Sequence, residues 1–419
     1  WNDLFLSLLA GGTLILVDGT NQAMSVDTKG GERRAITESN TQMVVRGPKE
    51  AFTESLGTNT AMIRRIIKSP DLWIESMKIG RVTQTDVTMM YMHGIANDQV
   101  IEEVRQRLHK IDIDSVLESG YIQQFIEDQT LTTFPTMYDT ERPDIVAGNL
   151  LEGRIAIFVD GTPFVLIAPA VFIQFFQSAE DYYVRFDIAT SIRFLRVVMF
   201  IISLIAPAAY VAVTTFHQEM VPTQLIVAIA AQREAVPFPA FVEALLMEVT
   251  FEILREAGVR LPKAIGSAVS IVGALVIGQA AVQASIVSPA MVIVVSLTAI
   301  ANFAIPSFAM AISVRLLRFL FMICAAVFGF YGIILALLML VVHLCSLRSF
   351  GIPYMAPLAP FIPSNNEDTI VRLPWWTLRK RPRLISANTK REGENQQPHP
   401  PSSRGMVNRD IKEGDNNET

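Results

Sequence analysis

Cysteine is nearly absent: the 419-residue chain has two, Cys324 and Cys345. They stand 21 positions apart in one apolar stretch, roughly 31 Å along a helix at 1.5 Å per residue and beyond disulfide reach. No CxxC pair accompanies them and His343 is the one histidine nearby, so thiol chemistry and a metal centre have no support. Both cysteines are expected to be buried apolar residues. Charge is scarce too, at 18% of residues against about 25% in soluble domains. That deficit argues against an ordinary soluble enzyme and against a disordered chain. A formal net charge of −5 argues against nucleic-acid binding, which needs a basic surface. The GxGxxG, Walker A, HExxH and GxSxG patterns are also missing. No catalytic residue, metal or cofactor is expected.

What abounds is apolar: 51% of residues, with a mean hydropathy of +0.36. The distribution is uneven. Residues 1–190 hold 16 basic and 26 acidic side chains, residues 191–346 hold 8 and 6, and residues 347–419 hold 11 and 8. This pattern predicts a soluble α/β domain over 1–190, an α-helical transmembrane region over 191–347, a basic juxtamembrane segment over 348–385 and a disordered tail over 386–419. Trp1 opens directly in the apolar run LFLSLLAGGTLILVDG, with no basic segment before it and no cleavage site after it. No signal peptide is expected, and the chain reads as beginning inside a domain whose start is missing.

In the soluble region, Val100–Lys110 and Tyr121–Asp128 have helical spacing. TLILVDGTNQAMSVDTK (13–29) reads as a β-hairpin turning at Asp18-Gly19, and GRIAIFVDGTPFVLIAP (153–169) repeats its VDGT. Two related α/β subdomains would explain the repetition, and two unrelated hairpins sharing a favourable turn would explain it equally well. RGPKEAFTES (46–55) is a loop running into a helix. Asp139, Glu141, Arg142 and Asp144 in FPTMYDTERPD (134–144) read as a rigid ionic turn rather than a catalytic carboxylate set, because no nucleophile or base accompanies them.

Four stretches are long enough to cross a hydrocarbon core, which takes about 20 residues: about 194–216, 264–287, 289–312 and 319–347. Ala264–Ile312 has no charged residue in 49 positions and is divided at Ser288-Pro289. A further segment over 221–257 is broken by Pro237 and Pro239, and whether it spans or re-enters stays open; the bundle therefore has four or five spans. FVLIAPAVFIQFF (164–176) is too short to span and is expected along the interface.

Past the break, Glu248, Glu252 and Glu256 share one helical stripe, while Glu243 lies apart among apolar residues. The stripe meets water on an interfacial helix, or it lines an aqueous path through an oligomer. Ser270, Ala274 and Gly278 form a small-residue face for helix packing. Gln279 and Gln283 sit on another face, as path liners or as hydrogen-bond partners of a neighbouring helix. Basic residues Arg193, Arg196, Arg315, Arg318 and WWTLRKRPR (375–383) flank the spans. The positive-inside rule would put all of them on one side, which a single full crossing by the last span forbids. The two tryptophans beside basic residues suit an anionic headgroup surface.

In sequence order, RGPKEAFTE (46–54), ESGYIQQFIED (118–128), TERPD (140–144), LEGRIAIFVDGTPFVLIAP (151–169), FFQSAEDYYVRF (175–186), FHQEMVPT (216–223), VPFPAFVEALLMEVTFEILREAG (236–258), SIVGALVIGQAAV (270–282) and HLCSLRSFG (343–351) closely resemble the A-subunit family of bacterial spore germination receptors, the GerA type. One departure is Arg233-Glu234-Ala235, where family members commonly have Arg-Glu-Gly. The resemblance implies a multi-pass protein of the spore inner membrane with its soluble domain facing the core. It implies partnership with a transporter-like B subunit that senses nutrient and a lipoprotein C subunit, and assembly, as a pentamer, into a nutrient-gated cation channel. On that reading Glu248, Glu252, Gln279 and Gln283 are the path-facing candidates. The rival readings are a non-conducting scaffold that couples the sensor to a separate channel, and a transporter component.

Overall fold

The computed structural model describes residues 42–260 and 276–391, together with residues 8, 13–16, 18–19, 23–26, 39, 393 and 397–398. Strands β1 (Thr13–Leu16) and β2 (Ala23–Val26) pair antiparallel as the expected hairpin. At its turn Gly19 has φ +85°.

The soluble domain is built on a second sheet. It holds β3 (Leu72–Ile79), β4 (Thr85–Met92), β5 (Tyr138–Thr140), β6 (Ile155–Val159) and β7 (Val165–Ala168), in the spatial order β3-β4-β6-β7-β5 with every pair antiparallel. The alternation along β6 shows how it is covered. Ile155, Ile157 and Val159 pack into one core with Val104 and Leu108 of α2 (Asp98–His109) and Ile122 of α3 (Ser119–Ile126). Ala156 and Phe158 pack into the other with Ile63 of α1 (Leu56–Ile66) and Leu150 of α4 (Pro143–Leu151). A sheet covered on both faces has no solvent side, so β6 and β7 are buried at every position. The second VDGT hairpin therefore lies mid-sheet, whereas the first forms a sheet of its own.

This coverage corrects the reading of 164–176 as interfacial. Val165–Ala168 is a strand, and Phe172–Phe176 is a 3-10 turn with Phe175 fully buried. Arg142 behaves as the ionic turn predicts. Buried at 1% exposure, it holds Asp144 at 2.6 Å and donates to the carbonyls of Gln42 and Pro48. It thereby ties the chain before α1 to the start of α4.

Beyond the soluble domain run α5 (Phe186–Thr215), α6 (Thr223–Arg233), α7 (Ala240–Arg260), α8 (Pro289–Phe303) and α9 (Phe308–Ser346). The break expected at Pro237 and Pro239 separates α6 from α7. Ser288 and Ser307 cap α8 and α9, accepting from the N–H groups of Met291 and Met310. The stretch expected as one span over 289–312 is therefore divided: α8 ends at Phe303, and Phe308–Ile312 belongs to α9.

Among the described residues, α5 and α9 are the helices long and apolar enough to cross a membrane. Only 39% and 28% of their most apolar windows are buried, and residues such as Met339 at 74% and Val342 at 69% exposure face outward. A core helix of a water-soluble protein would bury them, and apolar surface on this scale marks a lipid or partner face.

α9 is not straight. Gly329 has φ +60° and ψ −140°, outside the helical region. The chain folds back there, so that Ser313 on one arm donates to the Thr133 carbonyl while His343 on the other hydrogen-bonds the Thr132 hydroxyl at 3.0 Å. Both ends of α9 thus meet the same loop of the soluble domain. The bend packs on the distal end of α5, where the His217 and Phe330 rings are 5.3 Å apart.

The chain then returns to the soluble domain. Strands β8 (Arg348–Ser349) and β9 (Ile352–Pro353) pair, Ser349 Oγ donates to the Thr136 carbonyl at 2.6 Å, and Phe172 N donates to the Tyr354 carbonyl. Residues 386–391, expected to be disordered, are part of this structure: Ala387 N donates to the Ile95 carbonyl, and Arg391 pairs with Glu152. Of the basic residues in 375–383, expected at a headgroup surface, Arg381 is buried against carbonyl oxygens, as is Arg372 just before that stretch, while Arg379, Lys380 and Arg383 are exposed.

A β-carbon at Gly329 would lie 2.6 Å from His217 Cε1 and would hold a backbone conformation that L residues avoid. Gly329→Ala is expected to cost at least about 1–3 kcal/mol, read as a lower unfolding midpoint of the detergent-solubilised chain against wild type.

Candidate functional site between the membrane helices

Among the described residues, four carboxylates of the apolar region pair with four of its arginines. Glu248 of α7 is 3% exposed and pairs with Arg318 of α9, itself 4% exposed. Arg318 also donates from Nε to the Ser203 carbonyl at 2.9 Å and from Nη2 to Ser203 Oγ at 3.2 Å, both on α5. One turn along α7, Glu252 pairs with Arg315 of α9. Spacing produces this ladder: i,i+4 carboxylates on one helix face i,i+3 guanidiniums on the next. Glu252 is the more open of the two, with 41% of its side chain exposed. Asn302 of α8 joins the seam by accepting from Ser203 Oγ at 3.4 Å.

Glu243 makes a second polar centre toward the distal end. It is fully buried and accepts from Ser288 N at 3.1 Å, Ser288 Oγ at 2.9 Å and Arg233 Nε at 3.1 Å. Tyr210 of α5 adds its hydroxyl 3.2 Å from Ser288 Oγ. The cap of α8 is thus held by an ion pair that also fastens α6 to α7.

A third cluster sits where α5 leaves the soluble domain. Arg193, 1% exposed, bonds Asp181 at 2.9 Å and Asp368 at 2.7 Å, and Arg196 bonds Asp181 at 2.8 Å. Tyr182 donates to Asp368 at 2.7 Å, and burial together with that carboxylate pushes its phenol well up. These basic residues in the first turns of α5 are therefore structural anchors.

Of the path-facing candidates, the structure brings Glu248 and Glu252 together on α7 and turns both toward arginines. Gln279 and Gln283, on a helical stretch over 276–283, are exposed. Gly278 on that stretch is buried, with its Cβ direction 3.8 Å from Val292 of α8, as a packing face requires. Ser270 and Ala274 lie outside the described residues. Glu256 pairs with Arg260 as the i,i+4 spacing predicts, while Arg255 stacks over the Phe303 ring at 4.9 Å rather than bonding Glu252. Both cysteines are free, and neither is buried as expected: Cys324 is half-buried and Cys345 exposed.

The residues missed by sequence reasoning are Glu243, Ser288, Ser203 and the partner roles of Arg315 and Arg318. A signal existed for the arginines: two cations inside an uncharged run require counter-charges, and α7 has the nearest set.

An α/β domain seated on outward-apolar helices with internal ion pairs defines a membrane-associated protein with a soluble domain. The sequence model described as Bacillus/Clostridium GerA spore germination protein matches residues 1–384, and the chain belongs to that family. It is 68% identical over 420 residues to Spore germination protein KA of Bacillus subtilis (strain 168), an alignment covering 100% of this chain and 77% of that one. It is 51% identical to Uncharacterized membrane protein YfkQ of the same organism (92% and 75% covered) and 43% identical to Spore germination protein GerLA of Bacillus cereus (91% and 78% covered). Among solved structures, the N-terminal domain of the A subunit of the Bacillus megaterium spore germinant receptor GerK3 is 66% identical, covering 42% of this chain and 62% of that one at a TM-score of 0.31.

Removing one member of a buried ion pair strands the other. Arg318→Met is expected to destabilise the bundle by about 3–5 kcal/mol, and adding Glu248→Met should restore most of the loss. Thermal unfolding in detergent of both singles and the double variant checks the cycle.

Proposed function

We propose that this chain is the A subunit of a nutrient germinant receptor of the spore inner membrane, and that copies of it assemble, as a pentamer, into a nutrient-gated cation channel. The soluble domain faces the spore core. A transporter-like B subunit senses the nutrient, and a lipoprotein C subunit completes the receptor. Family membership and the names of the relatives support the germination role. The observation that carries the channel reading is the pair of exposed carboxamides, Gln279 and Gln283, on a stretch whose opposite side packs Gly278 on α8. Polar groups outside an apolar bundle are costly against lipid, and a polar path between copies would satisfy them.

In this reading the α7 carboxylates are gated. Glu252 is half-open already and lines the path when its bond to Arg315 yields. Glu248 would follow only if Arg318 kept its Ser203 contacts while releasing the carboxylate. Nutrient binding in the partner would shift the balance between these pairings. One observation favours a second reading: both carboxylates are matched by arginines within the single subunit, which suits a non-conducting scaffold that couples the sensor to another channel.

Planar-bilayer recording of the reconstituted receptor separates the two. The channel reading expects Gln279→Leu and Gln283→Leu to lower conductance and Glu252→Gln to lower cation-over-anion selectivity. Unchanged currents in all three variants remove the path assignment, and a receptor that passes no current on nutrient addition leaves the scaffold.

A further inference from the structure

The soluble domain leaves large apolar side chains exposed where it meets α9. Leu131 is 96% exposed, and Phe125 and Tyr121 of α3 are 55% and 44% exposed. Ile122 and Ile126 of the same helix are fully buried, so they fill its inward face, and the i,i+4 spacing puts Tyr121 and Phe125 together on an outer stripe.

Hydrogen bonds fix where this surface lies. Leu131 directly precedes Thr132, whose hydroxyl bonds His343 at 3.0 Å, and Thr133, whose carbonyl accepts from Ser313. The end of α3 is held at the same place, since Asp128 accepts at 3.1 Å from the N–H of Gly351, just past α9. The start of α3 is tied to the other end of the sheet. Glu118 accepts at 3.1 Å from Thr162 Oγ1 in the β6–β7 turn, remote from Ala170, whose N–H donates to Ser349 at 3.0 Å. Moving away from α9, the order is therefore Leu131, Phe125, Tyr121.

Helix length sets the depth of the surface. Ser313 and His343 stand 16 and 14 positions from the bend at Gly329, roughly 24 and 21 Å at 1.5 Å per residue. A hydrocarbon core is about 30 Å thick. The bend belongs at the far boundary, because His217 lies against it and is followed by the exposed Gln218 and Glu219. With α5 and α9 crossing a bilayer, Ser313 and His343 stop short of the near boundary, and the loop bonded to them stands at the interface itself. Pushing the bend further out on the far side, or tilting the arms, draws the loop deeper.

We propose that this surface is seated in the phospholipid interface of the same bilayer, with Leu131 and Phe125 among the acyl chains and Tyr121 at headgroup level. The order of side chains suits lipid better than a protein partner: aliphatic, then phenyl, then phenol follows the rise in polarity from acyl chain to headgroup. The attraction is apolar rather than electrostatic, since Arg107 beside the loop is already matched by Glu103 and Asp128. Lipid that holds Leu131 also steadies Thr132 and Thr133, on which both arms of α9 are fastened. The proposal rests on α5 and α9 crossing the membrane and is independent of the channel reading.

The test uses the full chain in phosphatidylcholine nanodiscs, with single cysteines in a Cys324→Ser, Cys345→Ser background carrying an environment-sensitive fluorophore. Val82→Cys, in the exposed turn between β3 and β4 at the remote end of the sheet, reports water, and the outward-facing Met339→Cys on α9 reports the hydrocarbon. Probes at Leu131→Cys and Phe125→Cys are expected to lose fluorescence to lipids bearing a nitroxide near the headgroup end of the acyl chain, and to be shielded from aqueous iodide. The probe at Val82→Cys is expected to do the reverse. In the unaltered chain, phosphatidylcholine with a photoactivatable group at that same depth is expected to mark peptides spanning 121–131 and to leave those containing Val82 unmarked. Iodide quenching without lipid quenching at both 125 and 131 means water, and shielding from both quenchers means a protein partner; either overturns the proposal. Loss of lipid quenching at 339 as well overturns it together with the crossing, and a 121–131 peptide free of lipid overturns it in the unaltered chain.

Discussion

A straight α-helix of 39 residues would be about 58 Å long at 1.5 Å per residue, nearly twice the roughly 30 Å of a bilayer's hydrocarbon core. α9 fits such a layer only because it turns back on itself at Gly329. The turn needs a residue without a side chain on two counts: the backbone conformation and the His217 ring lying against the bend. From this one reversal the rest of the arrangement follows. Ser313 and His343, thirty positions apart, reach adjacent residues of the same loop, and the tail emerges where it can fold onto the soluble domain.

The reversal also resolves the conflict among the basic clusters. Arg193 and Arg196 at the start of α5, Arg315 on the first arm of α9 and the tail arginines fall toward the end occupied by the soluble domain, while Arg318 is set deeper, against Ser203 of α5. The distal end, around His217 and the bend, has no arginine of this set. Within the bundle, each described carboxylate of the α7 stripe has a guanidinium partner. A lone charge would be costly there, and matched pairs make the helices' register specific. Glu243 does this at the distal end by holding the α8 cap and Arg233 at once.

Much of the soluble fold was legible in the chain. The VDGT turns marked two hairpins, and 3.6-residue spacing marked α2 and α3. The β3–β4 hairpin was missed because its apolar residues serve two cores and do not alternate with polar ones. The same effect made 164–176 look interfacial: a strand buried on both faces and an aromatic turn after it are as apolar as a lipid-facing segment. Gly329 was invisible for the opposite reason, since a glycine inside an uncharged run changes neither hydropathy nor period. Of the site, the carboxylate stripe could be read from spacing, but its partners lie some 65 positions downstream and only the fold brings them near. Arg381 could not be told apart from its exposed neighbours Arg379, Lys380 and Arg383, because composition does not distinguish a guanidinium facing solvent or phosphate from one facing carbonyl oxygens.

With α5 and α9 crossing a membrane, this fold would have the chain enter and leave on the side of its soluble domain, with the bend of α9 on the other. Single cysteines placed in a Cys324→Ser, Cys345→Ser background, at Lys68→Cys, Gln218→Cys and Arg379→Cys, report the side directly when sealed vesicles are treated with a membrane-impermeant maleimide. Lys68→Cys and Arg379→Cys are expected to label together from one side and Gln218→Cys from the other. Labelling of the soluble domain and the tail from opposite sides, or of all three positions from one side, would contradict this arrangement.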